Sequence, residues 1–165
     1  MTSNISPALP ATPLWQRLTV RHLTIAIEIV NLFVNGYLTY TKATNSNVTC
    51  LENAAFNCDA VTNSFYSTIG GIPVAYLGLG LHIVVVLLLL LEPRIAFLRT
   101  NGVLLIFGIS LFGFAFHCYL TYASVVWIQS LCIWCLSAHT LTGLSLITTC
   151  IRLYRQFFTT PAANG

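Results

Sequence analysis

The chain has 165 residues, of which 56% are hydrophobic and only 7% are charged. Soluble globular domains carry about 25% charged residues, and disordered chains are poor in apolar residues and rich in charge, so the composition excludes both classes. An integral membrane protein of one compact domain remains. The net charge of +3 is too small to indicate a nucleic-acid partner.

Four apolar segments follow an amino-terminal tail at residues 1–16, which is rich in Pro, Ser, Thr and Ala. Each segment is about 20 residues long, which suffices to cross the hydrocarbon core of a bilayer as a helix. We therefore predict an all-α integral membrane protein with a bundle of four transmembrane helices. The single domain is expected at residues 17–155, with a second tail at 156–165. The predicted spans are about residues 22–40, 73–91, 102–123 and 131–151.

The basic residues predict how these spans are oriented. Four spans place both tails and the middle connection on one side, and Lys42 alone of the seven basic residues lies on the other. Because cytoplasmic flanks carry the excess of Lys and Arg, we expect both termini in the cytoplasm. The connections at about 41–72 and 124–130 are then extracytoplasmic. The basic residues on the cytoplasmic side are Arg17, Arg21, Arg94, Arg99, Arg152 and Arg155.

The longer outer connection contains a predicted interfacial helix. Val61, Phe65 and Ile69 follow one another at i, i+4 and i+8, which places them on one face of a helix. A short helix with such an apolar stripe is expected to lie along the membrane surface. Residues that can start or end this helix are Asn57, Asp59, Gly70, Gly71 and Pro73.

Several polar residues lie inside the predicted spans. Glu28, Asn31 and Asn35 fall on one face of the first span, at i, i+3 and i+7. Polar groups inside a membrane are functional candidates, but a polar seam between helices explains them as well. Because Glu28 lies toward the cytoplasmic end, we favour a structural role for it. His82 and His117 are expected to form interhelical hydrogen bonds.

The six cysteines are distributed unevenly over this topology. Cys50 and Cys58 lie in the long outer connection, whereas Cys132 and Cys135 form a C-x-x-C motif where the fourth span leaves the outer surface. Unpaired N–H groups and the helix dipole stabilise a thiolate at such a helix start, and the thiolate is the attacking species in disulfide exchange. The sulfurs at i and i+3 can also pair across one turn. Two further thiols are expected to be buried and inert, namely Cys118 and Cys150.

The two outer cysteine pairs together predict an electron relay, with one pair on a loop and the other rooted in the bundle. Two alternatives remain open. Cys50 and Cys58 can form a purely structural disulfide, and all four cysteines can form a zinc site. A c-type haem would need His directly after Cys135, where Leu136 stands.

These motifs, in this order, resemble the vitamin K epoxide reductase family, and most of all its microbial members. They are C-D-x-V-x-x-S from Cys58 to Ser64, G-I-P at Gly71–Pro73, and the C-x-x-C, and the resemblance covers about residues 20–152. Many microbial members carry a fused thioredoxin-like domain. This chain ends at Gly165, so we expect a stand-alone member with a separate thioredoxin-like or DsbA-like partner.

The resemblance implies a role for each outer cysteine. In the family, the bundle surrounds a quinone beneath the interfacial helix, and the helix-end pair, here Cys132 and Cys135, passes two electrons to it. Cys135 would lie nearest the quinone ring. Cys50 would exchange with the thioredoxin-like partner, and Cys58 would attack Cys132. The family's loop serine falls on Ser64, whose hydroxyl can donate a hydrogen bond to a reaction intermediate.

One position departs from the animal members, which have Tyr four residues after the last of these cysteines. Here that residue is His139, which at the quinone could hydrogen-bond to or protonate a ring oxygen; a polar contact inside the bundle is the alternative. The departure favours quinone reduction over epoxide reduction. The resemblance also implies the inner (plasma) membrane of a bacterium or archaeon, or the endoplasmic reticulum of a eukaryote.

The sequence therefore predicts a quinone-dependent thiol oxidoreductase that drives disulfide-bond formation in its partner. Three alternatives stand beside this prediction. One is an epoxide or quinone reductase of the animal type. Another is a DsbB-type oxidase, which places its C-x-x-C in the first outer loop, the reverse of the order in this chain. The third is a non-catalytic, claudin-like four-span protein, for which we expect Gly-Leu-Trp before the first loop cysteine, where Asn47-Val48-Thr49 stands.

Overall fold

The computed structural model describes residues 14–50 and 55–158, with side chains from Thr19 onward. The predicted four-helix membrane bundle is confirmed, since four helices are long and apolar enough to cross a membrane. Most of the two predicted tails lies outside the described residues. The long helices are α1 (Leu14–Ala43), α3 (Val74–Leu91), α4 (Ala96–Ala123) and α5 (Ile133–Phe158).

The helices form a closed ring in which α1 packs on α3 and α5, and α4 packs on the same two helices. Helix α3 shows how one apolar helix serves both the bundle and its surface. Its side chains Val85 and Leu89 are buried in the bundle, whereas Val84 and Leu87 are about half exposed. Apolar side chains on the outside of a bundle are what a lipid environment requires. The four-span topology places the carboxyl end of α1 beside the amino end of α5.

The middle connection is shorter than the sequence predicts. Helix α3 ends at Leu91 and α4 begins at Ala96, six residues before the predicted start at residue 102 of that span. The polar residues Arg99 and Asn101 lower the hydropathy at the start of α4, and both are exposed in the structure. Helices can extend past the hydrocarbon core with such polar residues, so hydropathy alone places the boundary too late.

The interfacial helix is present but shorter than predicted. Helix α2 spans Cys58–Thr62, and Asn57 caps it, because its Oδ1 accepts a hydrogen bond from the amide of Ala60 at 2.9 Å. The predicted stripe through Phe65 and Ile69 is wrong. Val61 is buried, whereas Phe65 is 86% exposed in a separate 3-10 turn at Phe65–Ser67.

The reason is a β-hairpin that the helical interpretation missed. Strands β1 (Thr68–Ile69) and β2 (Ile72–Pro73) pair in antiparallel fashion. Between them, Gly70 and Gly71 have positive φ angles of +57° and +84°, which the tight hairpin turn requires and which only glycine adopts readily. The strands then lead directly into α3.

The second outer connection also differs from the predicted loop at residues 124–130. Ser124–Ile128 continues α4 as a π-helical turn, and Gln129 then reverses the chain with a φ of 55°. The ring of Trp127 stacks on that of Tyr66, with centroids 4.9 Å apart. The two outer connections therefore contact each other above the bundle.

A seam of buried polar side chains holds α1 to its neighbours. The carboxylate of Glu28 is 2.7 Å from Nδ1 of His82 in α3 and accepts a hydrogen bond from the hydroxyl of Ser145 in α5. Asn31 adds a bond to Thr142, at 3.3 Å. The interhelical hydrogen bond expected of His82 is found, whereas the structural role favoured for Glu28 stays a prediction that these contacts support.

The opposite end of the bundle, away from the outer connections, is closed by an ion-pair cluster. Arg152 donates to both carboxylate oxygens of Glu92, at 2.7 and 2.6 Å. Arg21 lies 3.9 Å from the same carboxylate and donates to the carbonyl of Leu89 at 3.0 Å. This cluster joins α1, α5 and the connection after α3 at the end that carries most of the basic residues.

Candidate redox site

The C-x-x-C cysteines lie at the start of α5, which begins at Ile133. Cys132 directly precedes the helix and is 1% exposed, whereas Cys135 is half-buried. The amide of Cys135 donates to Sγ of Cys132 at 3.4 Å, so the sulfur takes the place of a capping oxygen. The predicted position of this pair at a helix start is therefore found.

This environment lowers the pKa of the Cys132 thiol. The largest cause is a hydrogen bond from the Cys135 thiol, and the backbone amides of Cys135 and Trp134 act in the same direction. Burial and the negative charge of Asp59 oppose the effect. Since the thiolate is both the nucleophile and the better leaving group in disulfide exchange, this sulfur is suited to that chemistry.

The loop cysteines form a disulfide. Cys50 and Cys58 are bonded to each other, and α2 begins at Cys58. Cys58 is fully buried, whereas Cys50 is half-buried and is the more accessible sulfur. Within residues 14–50 and 55–158, no three His, Cys, Asp or Glu side chains are grouped as metal ligands, so the zinc alternative finds no support.

A short stretch of backbone pairing brings the two cysteine pairs together. The amide of Asn57 donates to the carbonyl of Leu131, and the amide of Leu131 donates to the carbonyl of Ala55, both at 3.0 Å. Asn57 directly precedes Cys58 in the sequence, and Leu131 directly precedes Cys132. As a result Cys58 and Cys132 share one buried cluster. Its other buried members are Leu38, Val48 and Val61.

Trp134, between the two C-x-x-C cysteines, anchors the loop on its other side. Its indole N–H donates to the carbonyl of Thr49 at 2.8 Å, and the amide of Thr49 donates to the hydroxyl of Tyr37 at 2.9 Å. The Tyr37 and Trp134 rings lie 4.6 Å apart. Sequence reasoning missed Trp134, because the residues inside a C-x-x-C motif gave no signal for a partner.

A cavity of about 200 Å³ lies beside the cysteines. The outer connection covers it, since Val61, Tyr66 and Ser67 are among its lining residues. Lys42 holds this cover to α1 by donating to the carbonyl of Thr62 at 3.0 Å. Lining residues that bear on the chemistry are Asn35, Ser64, Gly78, His117, Cys132 and Cys135.

Comparison with models of protein families matches residues 22–150 to the vitamin K epoxide reductase family. The chain belongs to this family. A search of curated proteins found no match. Membership makes the protein a membrane oxidoreductase of the kind that couples thiols to quinones or reduces epoxides, and it agrees with the resemblance carried by Cys58–Ser64 and the C-x-x-C.

Within this vitamin K epoxide reductase family member, Ser64 lines the cavity, and its hydrogen bond to a reaction intermediate stays a prediction. Its hydroxyl donates to the carbonyl of Val61 at 2.8 Å, where α2 has ended. Because the residue lines the cavity, Ser64 remains a candidate for the site.

His139 is not among the residues that line the cavity, and its contact with a quinone stays a prediction. Its ring lies between α5 and α4, where Nδ1 is 2.9 Å from the hydroxyl of Thr121 and Nε2 is 3.6 Å from Sγ of Cys118. The alternative interpretation of His139, a polar contact inside the bundle, describes it.

Three other residues depart from expectation. His117 lines the cavity instead of forming an interhelical hydrogen bond. Cys118 and Cys150 are exposed thiols, although the sequence predicted buried ones. Both cysteines lie on long apolar helices, where hydropathy cannot distinguish a side chain that faces the bundle from one that faces lipid.

Proposed function

We propose that the protein oxidises the dithiol of a separate thioredoxin-like or DsbA-like partner and passes the electrons to a membrane quinone. The path runs from Cys50 and Cys58 to Cys132 and Cys135. The observation that carries the proposal is the backbone pairing of Asn57 with Leu131, which sets Cys58 beside Cys132 in one buried cluster, while Cys132 and Cys135 line the cavity.

The first step takes place at Cys50. A partner thiolate attacks Sγ of Cys50, because this sulfur is accessible and Cys58 is not. Cys58 leaves as a thiolate, and the second thiol of the partner then displaces Cys50. The partner departs with a disulfide, and the loop pair holds its two electrons as two thiols.

The second step moves these electrons within the protein. The thiolate of Cys58 attacks Sγ of Cys132 in a Cys132–Cys135 disulfide, and Cys135 leaves as a thiolate. Cys50 then attacks Cys58, which restores the loop disulfide and frees Cys132. The lowered pKa of Cys132 favours its departure. The bonded loop pair and the free Cys132 and Cys135 correspond to the distribution after this transfer.

The cavity fits a quinone head group. Its walls combine apolar side chains such as Leu38 and Leu120 with polar groups that can orient a ligand. A bound quinone supplies an acceptor for two electrons and two protons. The thiols of Cys132 and Cys135 together hold two electrons and two protons that can be transferred. The half-buried Cys135 lines the cavity.

The orientation follows from charge. Six of the seven basic residues flank the end away from the cysteines, where Arg21 and Arg152 meet Glu92. By the positive-inside rule, we infer cytoplasmic termini and an extracytoplasmic cysteine face. This places the reaction on the oxidising side of a bacterial or archaeal plasma membrane, or of the endoplasmic reticulum, where disulfides persist.

Quinone reduction in lipid nanodiscs tests the proposal. The purified protein is supplied with a short-chain ubiquinone or with menadione, and with a reduced thioredoxin-like protein. We expect turnover by the parent and by Cys150→Ala, whose thiol is exposed on α5 near its cytoplasmic end. Cys135→Ala should abolish turnover. Retained quinone reduction by Cys135→Ala would reject the assignment of the electron exit.

A further inference from the structure

His117 occupies the cavity wall on α4 without a hydrogen-bond partner. Its side chain is half-buried and lines the same cavity as Cys135. In the described part of the chain, neither of its ring nitrogens makes a hydrogen bond, and its ring stacks on that of His139 at a centroid distance of 6.0 Å. A histidine that is partly withdrawn from water is stabilised when a ligand supplies a hydrogen-bond partner for its ring nitrogen.

The other polar side chains that the spanning helices present to this cavity are already bonded. Asn35 donates to the carbonyl of Asn31 at 3.0 Å, and the hydroxyl of Thr121 lies 2.9 Å from His139. The hydroxyl of Ser124 donates to the carbonyl of Leu120 at 2.9 Å. His117 is therefore the side chain in this wall whose hydrogen-bonding capacity is wholly uncommitted.

His139 cannot take over this role without breaking its own contacts. Both of its ring nitrogens are engaged, one with Thr121 and the other with Cys118, and Phe114 packs edge-on against the ring at 5.1 Å. These contacts hold the His139 ring against α4, and His139 is not among the residues that line the cavity. Since the His139 ring stacks on His117, it also limits how His117 can turn.

We propose that His117 is the residue that donates a hydrogen bond to a carbonyl oxygen of the quinone ring. This inference rests on the proposed function and assigns a binding contact within it. An imidazole N–H can donate to a carbonyl oxygen, and a donor aimed at a developing oxygen charge favours electron uptake at that site. The electrons and both protons still come from the thiols of Cys132 and Cys135, so the balance of the reaction is unchanged.

Infrared spectroscopy of a bound quinone tests this contact without turnover. The Cys135→Ala variant, which cannot complete the reaction, is loaded in nanodiscs with a short-chain ubiquinone that carries isotope-labelled carbonyls. We expect one carbonyl stretching band to be shifted to lower frequency by the hydrogen bond. His117→Phe on this background should remove the shift, and quinone binding should weaken by about three- to tenfold, the range of one hydrogen bond.

Two further variants sharpen the test. His117→Gln keeps an N–H donor of similar reach and should retain part of the shift, which also covers the case that His117→Phe does not fold. His139→Phe should leave the band shifted, because His139 does not line the cavity. An unchanged band in both His117 variants would overturn the inference, and loss of the shift in His139→Phe would reassign it. If the Cys135→Ala protein that retains His117 binds no quinone at all, that result would instead count against the proposed function.

Discussion

The backbone amide of Asn57 donates to the carbonyl oxygen of Leu131 across 3.0 Å, and each of these residues immediately precedes a cysteine. The pairing fixes the start of α2 against the start of α5. Backbone hydrogen bonds of this kind hold the register of two segments, so Cys58 and Cys132 stay in one buried cluster. Disulfide exchange needs sulfurs that can approach within bonding distance, which makes this pairing the contact on which the proposed exchange between Cys58 and Cys132 depends.

Replacing Trp134 by Phe should weaken the second anchor of the loop. The aromatic ring that packs on Tyr37 is retained, but the indole N–H bond to the Thr49 carbonyl is lost. Such a bond contributes about 1 kcal/mol. We expect slower transfer from the loop pair to the helix-end pair, measured by rapid mixing with a reduced partner and thiol trapping. Trp127→Phe, on the other outer connection, is the matched control, and equal rates in all three proteins would show that the anchor is irrelevant to transfer.

The pKa of the Cys132 thiol should depend on two neighbours, the Cys135 thiol and the Asp59 carboxylate. Its pKa is lowered mainly by the Cys135 thiol and raised by Asp59. Because a lower pKa keeps the thiolate present at lower pH, the midpoint of the pH-dependent alkylation of Cys132 should lie below that of an ordinary thiol. Cys135→Ala should move this midpoint to higher pH, and Asp59→Asn to lower pH.

Mass spectrometry of peptides alkylated at different pH values gives these midpoints. Asn at position 59 keeps an oxygen for the bond with the amide of Val48, which is 2.9 Å long in the parent. The variant therefore removes charge and retains the loop contact. If the midpoint rises in Asp59→Asn, or falls in Cys135→Ala, the acidity of Cys132 has another origin than these two neighbours.

Gly78→Ala should disturb the cavity wall. A Cβ at this position would lie 2.7 Å from Oδ1 of Asn35, whereas a Cβ at Gly80 on the same helix meets nothing within 4 Å. Overpacking of this type destabilises by about 1–3 kcal/mol. We expect Gly78→Ala to lower the unfolding temperature in detergent and to weaken quinone binding. Gly80→Ala, the control, should change neither, and matching behaviour of the two variants would contradict the close approach of α1 and α3.

The carboxylate of Glu28 should stabilise the bundle and take no part in turnover. Glu28→Ala removes the partner of both His82 and Ser145 inside the seam. Leaving such buried groups unsatisfied costs about 1–3 kcal/mol, which SDS-driven unfolding of the reconstituted protein can measure. Glu28→Gln keeps an oxygen acceptor and should lose less. If Glu28→Ala is as stable as the parent, the seam is not a structural element.

Much of this architecture can be predicted from the sequence, for physical reasons. Apolar length dictates four spans, and the positions of the basic residues separate the two ends. The C-x-x-C at a helix start indicates a stabilised thiolate. Asn57 is an effective cap wherever a helix follows it, and the structure confirms that it caps α2.

The details that the sequence does not reveal depend on packing between segments. The i, i+4, i+8 pattern from Val61 to Ile69 predicts a helix, but the Gly70-Gly71 turn draws Ile69 into a hairpin. Whether His117 or His139 faces the cavity depends on the rotation of α4 and α5 against each other. Spacing along the chain carries no information on that rotation, and both histidines lie in apolar surroundings.

Electron transfer by the proposed path depends on direct exchange between Cys58 and Cys132. A Cys50→Ala, Cys135→Ala double variant leaves these two cysteines without their usual partners, and mild oxidation in nanodiscs followed by mass spectrometry of the unreduced peptides measures how they pair. We predict a Cys58–Cys132 disulfide within one chain in most of the protein. Free thiols at both positions, or disulfides only between separate chains, would contradict the relay.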